Sequence, residues 1–185
     1  MKLWVTGYLA HELNLFNYQD ERAQWLQRFL TCRLQEQIEN GYDWFLFKGQ
    51  LGVEYLAFRA LLELRTKYPE IKIAVFFPYL QYGENWSEKN QLLLNEYKEK
   101  ADYVATVSQY SYQSKEQFIQ QENFLFQHSE GFFCIYDDEV KGVVQYTLRR
   151  AKQYQEQVDN YSLFIYSLYD IDEFIREQMV DEWIE

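Results

Sequence analysis

A regular alternation of short apolar runs and longer segments of helical period leaves few folds open to this chain. Residues 71–77, IKIAVFF, form an almost continuous apolar run of strand length that stops at Pro78. A run of that kind suits a central parallel strand covered on both faces, because a half-exposed strand would alternate apolar with polar. Similar runs recur at residues 2–6, 43–47, 102–107, 131–136 and 161–166. Between the first two, Trp25, Leu26, Phe29, Leu30, Leu34 and Ile38 return every three or four residues, which predicts an amphipathic helix stopped at Asn40-Gly41. Val53, Leu56, Ala57, Ala60, Leu61 and Leu64 predict the buried face of another, ended by Tyr68-Pro69. Further helices are expected at residues 87–100, 114–127 and 143–158 and after the last strand. Six strands alternating with helices predict a single α/β, doubly wound domain over residues 1–185 with a mostly parallel sheet.

Composition narrows the function. Eighteen Lys and Arg against 29 Asp and Glu give a net charge of −11, which opposes a nucleic-acid surface because phosphate contacts need clustered cations. The opening residues MKLWVTG lack the apolar core of a secretory signal, and no apolar run approaches the roughly 18 residues of a membrane span, so a soluble cytoplasmic protein is expected. Cys32 and Cys134 stand apart, without CxxC or Cys/His spacing. Both are expected to be buried thiols in a reducing compartment, and no metal site is expected. With 17 Tyr, 14 Phe and 5 Trp the aromatic content is unusually high, and some tyrosines must keep a wet hydroxyl at the surface. Such a surplus suits a homo-oligomer or protein interface as well as a large core.

Ligands of doubly wound sheets bind outside the carboxyl ends of the strands, near the point where strand order reverses. Three strand ends carry unusual residues. At the first, Thr6 offers a hydroxyl beside Gly7, and Gly7 either turns the chain or lets a ligand approach. The second is Lys48-Gly49-Gln50-Leu51-Gly52-Val53-Glu54, where free N–H groups and the positive end of a helix dipole make an anion or polar-oxygen site. Glu54 repels a phosphate at contact distance and suits a ribose hydroxyl or a base N–H better, unless it serves only as a helix-terminal charge or cap. At the third, Gln121-Glu122-Asn123 and Tyr136-Asp137-Asp138, the aspartates can bind a metal, hold ribose or open a turn. Asn85-Trp86, in an irregular stretch, offers an amide for base recognition and a ring for stacking, or packs as core.

The strings Val5-Thr6-Gly7-Tyr8, GQLGVE at residues 49–54, Asn85-Trp86 with Asn90, and the stretch from Gln117 to Ala151 resemble the YpsA-like family. That family belongs to the SLOG superfamily, with the DNA-processing protein Smf/DprA and the LOG phosphoribohydrolases. The resemblance covers nearly the whole chain, and its most specific part is GQLGVE. It implies a Rossmann-like fold and a nucleotide-type ligand such as NAD, ADP-ribose or another adenine nucleotide. Gly7, Gly49, Gln50, Gly52 and Glu54 are then its implied site, with Asn85, Trp86 and Asn123 as further candidates. It also implies a link to cell division or stress regulation in Gram-positive bacteria. The sequence departs from the family pattern at Lys48, where a serine is usual, at Glu122, where a cation is usual, and at Val143.

No GxSxG, HExxH or Cys/His pair appears, nor the PGGxGTxxE string of the LOG enzymes. His11 and His128 stand without catalytic partners in sequence. The expectation is a nucleotide-sensing protein with a small-molecule ligand and a protein partner. The alternatives are a nucleotide-processing hydrolase or glycosidase using Glu54, and an interaction scaffold that has lost its ligand.

Overall fold

A computed structural model describes residues 1–184, with side chains described through Val180. The elements run β1 (Lys2–Gly7), a 3-10 turn (Ala10–Leu13), α1 (Glu21–Glu39), β2 (Trp44–Phe47), α2 (Val53–Leu64), β3 (Lys72–Phe77), α3 (Glu88–Lys100) and β4 (Tyr103–Thr106). They continue with α4 (Glu116–Gln127), β5 (Gly131–Ile135), α5 (Val144–Gln157), β6 (Ser162–Tyr166) and α6 (Leu168–Ile184). The strands form one sheet in the order β4-β3-β2-β1-β5-β6, with every neighbouring pair parallel. Leu3 pairs with Phe45, Phe45 with Ile73, Val75 with Val104, and Val5 with Phe133. The sheet is therefore wholly parallel, and the architecture is Rossmann-like.

The unbroken apolar strands have their physical cause in two covering layers. Leu3, Trp4 and Val5 in succession are fully buried, as are Phe132, Phe133, Cys134 and Ile135. On one face α1 packs along α2 and against α6, with Phe29 meeting Tyr166 and Phe174 edge to face. Tyr97 of α3 joins this layer through Phe47, Tyr55 and Phe58. On the other face α4 packs on α5, where Tyr154 stacks on Phe126 and Phe126 meets Trp4. The side-chain carboxylate of Asp20 accepts from Ala23 N–H to start α1, and Gly41, at φ +97°, turns the chain after its end.

The chain starts at the middle of the sheet, builds outward through β2, β3 and β4, and then returns to place β5 on the other side of β1. Strand order thus reverses between β1 and β5. Among the described residues, no helix is long and apolar enough to cross a membrane. One expectation fails here. Cys134 is buried, but Cys32 is exposed, because Phe29, Leu30 and Leu34 turn the opposite side of α1 to the core.

Candidate functional site

The turn between β2 and α2 is the place to begin, since sequence reading put an anion cradle there. Glu54 lies in the first turn of α2 and is only 1% exposed. Its carboxylate accepts from the Thr6 hydroxyl at 2.8 Å, from Lys48 N–H at 3.0 Å and from Gln50 N–H at 3.2 Å. Burial pushes its pKa above the usual carboxylate range, against the opposing pull of Lys48 and of these hydrogen bonds. Gly52 N–H donates to the Tyr18 hydroxyl at 2.8 Å, and Val53 N–H to the Tyr8 carbonyl at 3.1 Å. Four peptide donors of the turn are therefore taken up within the protein. Its glycines face protein neighbours too. A Cβ on Gly49 would lie 2.4 Å from Phe77, one on Gly52 2.5 Å from the Tyr8 carbonyl, and one on Gly7 2.6 Å from Val53.

The reversal point between β1 and β5 is likewise filled from within. The Tyr8 hydroxyl donates to the Val140 carbonyl at 2.6 Å and accepts from Asp137 N–H at 2.8 Å. Burial pushes its pKa up to about 12. Glu12 accepts from Leu9 N–H at 2.7 Å and from Val143 N–H, at the start of α5, also at 2.7 Å. Of the three roles open to Asp137, the geometry shows turn formation: it accepts from Glu139 N–H at 3.0 Å and from Leu168 N–H, which starts α6, at 3.2 Å. Among the described residues no group of three His, Cys, Asp or Glu could hold a metal ion.

An open cavity of about 680 Å³ lies instead above the carboxyl ends of β1, β2 and β3. The segment after β1 supplies Leu15, Phe16 and Tyr18, the turn after β2 supplies Gln50 and Leu51, and the stretch after β3 supplies Tyr79, Tyr82 and Trp86. Phe118 of α4 adds a sixth aromatic ring. Tyr82 meets Trp86 at 5.1 Å and Tyr79 at 5.4 Å, both edge to face, and Tyr79 also meets Phe118. Polar groups on the lining are few: His11, Gln50, Ser87, Lys89 and Asn90, beside the tyrosine hydroxyls. Among the described residues no carboxylate lines the cavity, in a chain that carries 29 Asp and Glu. The size and the mainly aromatic wall with a few polar groups are those of a small-molecule site.

Of the residues the sequence proposes for a site, Gln50 and Trp86 line this cavity. Thr6, Gly49, Gly52 and Glu54 build its floor turn from beneath, and Gly7 lies against Val53. Asn85 is exposed and outside the lining. Lys48 points elsewhere: its ammonium lies 3.6 Å from Glu122, itself bonded to Thr147 and Arg150, while Asn123 accepts from Arg150. Lys48 and Glu122 thus form an ion pair between the end of β2 and α4. His128 stacks on Phe124 away from the cavity. The residues that sequence reasoning passed over are Tyr18, Tyr79, Tyr82 and Lys89. Their signal was present in the aromatic density of residues 78–86, PYLQYGENW.

Comparison with known proteins places similarity along most of the chain. A family profile described as YspA SLOG family (YpsA) matches residues 3–171. A UPF0398 protein from Ligilactobacillus salivarius is 34% identical over 174 residues, covering 94% of each chain. One from Enterococcus faecalis is 37% identical over 155 residues, covering 84% of this chain and 86% of its own. One from Bacillus cereus is 32% identical over 174 residues, 94% of each.

Proposed function

This chain belongs to the YpsA family of SLOG proteins, and from that premise we propose that it is a nucleotide-binding sensor whose ligand occupies the aromatic cavity above β1, β2 and β3. The observation that carries this reading is the lining itself: six aromatic rings, two amides, a serine hydroxyl, an ammonium and an imidazole, with no carboxylate among the described residues, in a chain of net charge −11. Flat aromatic walls favour a base, because each ring contact with a stacked base contributes about 1–3 kcal/mol. Lys89 adds the positive charge that an anionic nucleotide requires, and His11 adds a ring nitrogen able to hydrogen-bond it. The ligand class this favours is an adenine nucleotide or a derivative such as NAD or ADP-ribose.

Binding without turnover is the favoured activity. Glu54, the carboxylate a glycosidase reading would use, is 1% exposed and already accepts three hydrogen bonds. A general base must reach its substrate proton directly or through one water. As a sensor in the cytoplasm, the protein would pass its ligand state to a protein partner.

A thermal-shift screen against NAD, ADP-ribose, AMP and ATP tests the reading. A ligand at 100 times its dissociation constant adds about 2.7 kcal/mol of stability, and so raises the melting temperature by several degrees. Trp86→Ala is expected to remove most of that shift, and chromatography of the mixtures to return the nucleotide intact. A full shift in Trp86→Ala contradicts the assignment of the cavity, and recovered product contradicts the sensor.

A further inference from the structure

Resting on the reading of the cavity as a nucleotide site, we propose that the ligand lies with its base inward and its phosphate at the rim, held by Lys89 and His11 rather than by the glycine-rich turn. Two places in the molecule invite a phosphate by their position, and both already hold a protein carboxylate. Glu54 occupies Lys48 N–H and Gln50 N–H in the turn after β2, and Glu12 occupies Val143 N–H at the start of α5. A phosphate at either place would have to displace a carboxylate or lie against it, and like charges at contact distance repel. Tyr18 and the Tyr8 carbonyl hold the next two donors of the first turn, Gly52 N–H and Val53 N–H.

The cavity offers the opposite electrostatics on its other side. Lys89 and His11, both exposed, are its ionisable lining groups apart from tyrosines. The Lys89 ammonium donates to the Phe16 carbonyl at 2.7 Å, which fixes it beside the mouth. An ammonium has three donors, so that bond leaves it able to accept an anion as a further partner. The inner wall is apolar by comparison: Leu15 is 2% exposed, and Tyr82 is half-buried among Phe77, Tyr79 and Trp86. Apolar depth and a cationic edge orient a nucleotide base-first. In that orientation groups attached beyond the phosphate extend into solvent and are tolerated, whereas additions to the base meet the aromatic wall.

Adenosine, AMP, ADP-ribose and an N6-benzyl adenosine, titrated by calorimetry into wild type, Lys89→Gln and Lys89→Arg, test the orientation. AMP is expected to bind wild type about fivefold to tenfold more tightly than adenosine, the range for a partly exposed charge-assisted contact. Lys89→Gln should bring that ratio close to one while adenosine affinity holds, and Lys89→Arg should keep it. ADP-ribose should bind at least as tightly as AMP, and the N6-benzyl compound should not bind. Since Lys89 is exposed, Lys89→Gln should melt within a few degrees of wild type, which separates lost contact from lost fold. A phosphate preference that survives Lys89→Gln unchanged overturns the orientation and leaves the cavity standing as the site, as does tight binding of the N6-benzyl compound. Failure of both adenosine and AMP to bind wild type removes the cavity reading, and the orientation with it.

Discussion

Gly52→Ala is expected to destabilise the protein by about 3 kcal/mol or more, because two independent costs fall on the same added methyl group. Gly52 sits at φ +106° and ψ −129°, a region that residues with a Cβ essentially do not occupy. The new Cβ would also lie 2.5 Å from both the Tyr8 carbonyl oxygen and the Ala10 nitrogen, which are backbone atoms and cannot swing away. The contact is tight because Leu9 and Gly52 form a β-bridge that joins the segment after β1 to the turn after β2. That bridge sets two walls of the cavity relative to each other. The melting temperature should fall by about 6–12 °C, at 2–4 °C per kcal/mol for a chain of this size. Urea denaturation measures the same loss. A fall of less than about 1 kcal/mol would show that the turn relaxes freely, contrary to its packing.

Glu54→Ala carries the second large effect, about 3 kcal/mol, for a different reason. Removing the carboxylate strands Lys48 N–H, Gln50 N–H and the Thr6 hydroxyl in the interior, and takes a nearby negative charge from the buried Lys48. Denaturation as a function of pH gives it a second signature. Burial raises the folded-state pKa of Glu54, so its contribution is complete below the unfolded value, near 4.5, and declines as pH rises toward the folded value. The gap between wild type and Glu54→Ala should therefore be widest below pH 4.5 and narrow as pH rises above it. A gap that widens with pH would mean that the hydrogen bonds to Glu54 outweigh its desolvation. Neither substitution is expected to act through lost ligand contact, since neither Gly52 nor Glu54 lines the cavity.

The strands and helices were legible in the sequence because their determinants are local. Ile73, Ala74 and Val75, apolar in succession, announce a strand buried on both faces by composition alone, and Phe29, Leu30 and Leu34 announce one helix face. The glycines at 49 and 52 were legible as a turn for the same reason. What they serve was not. Whether a turn N–H faces a ligand or a side chain depends on Glu54, Tyr18 and Tyr8, and the last two come from a segment more than thirty residues earlier. The cavity is harder still, since its walls come from four separated stretches of chain and no single window contains its pattern. Cys32 shows the limit in miniature: residue type suggested burial, and only the helical phase set by its neighbours turns it to solvent.

The proposed nucleotide site rests on one geometric claim, that the open space belongs to the aromatic cavity and not to the glycine-rich turn. A crystal structure of the protein grown with AMP tests it most directly. Nucleotide density is expected among Tyr79, Tyr82 and Trp86, with the Glu54 carboxylate still bonded to Lys48 N–H and Gln50 N–H. Phosphate density on residues 49–52, with Glu54 swung away, would contradict it.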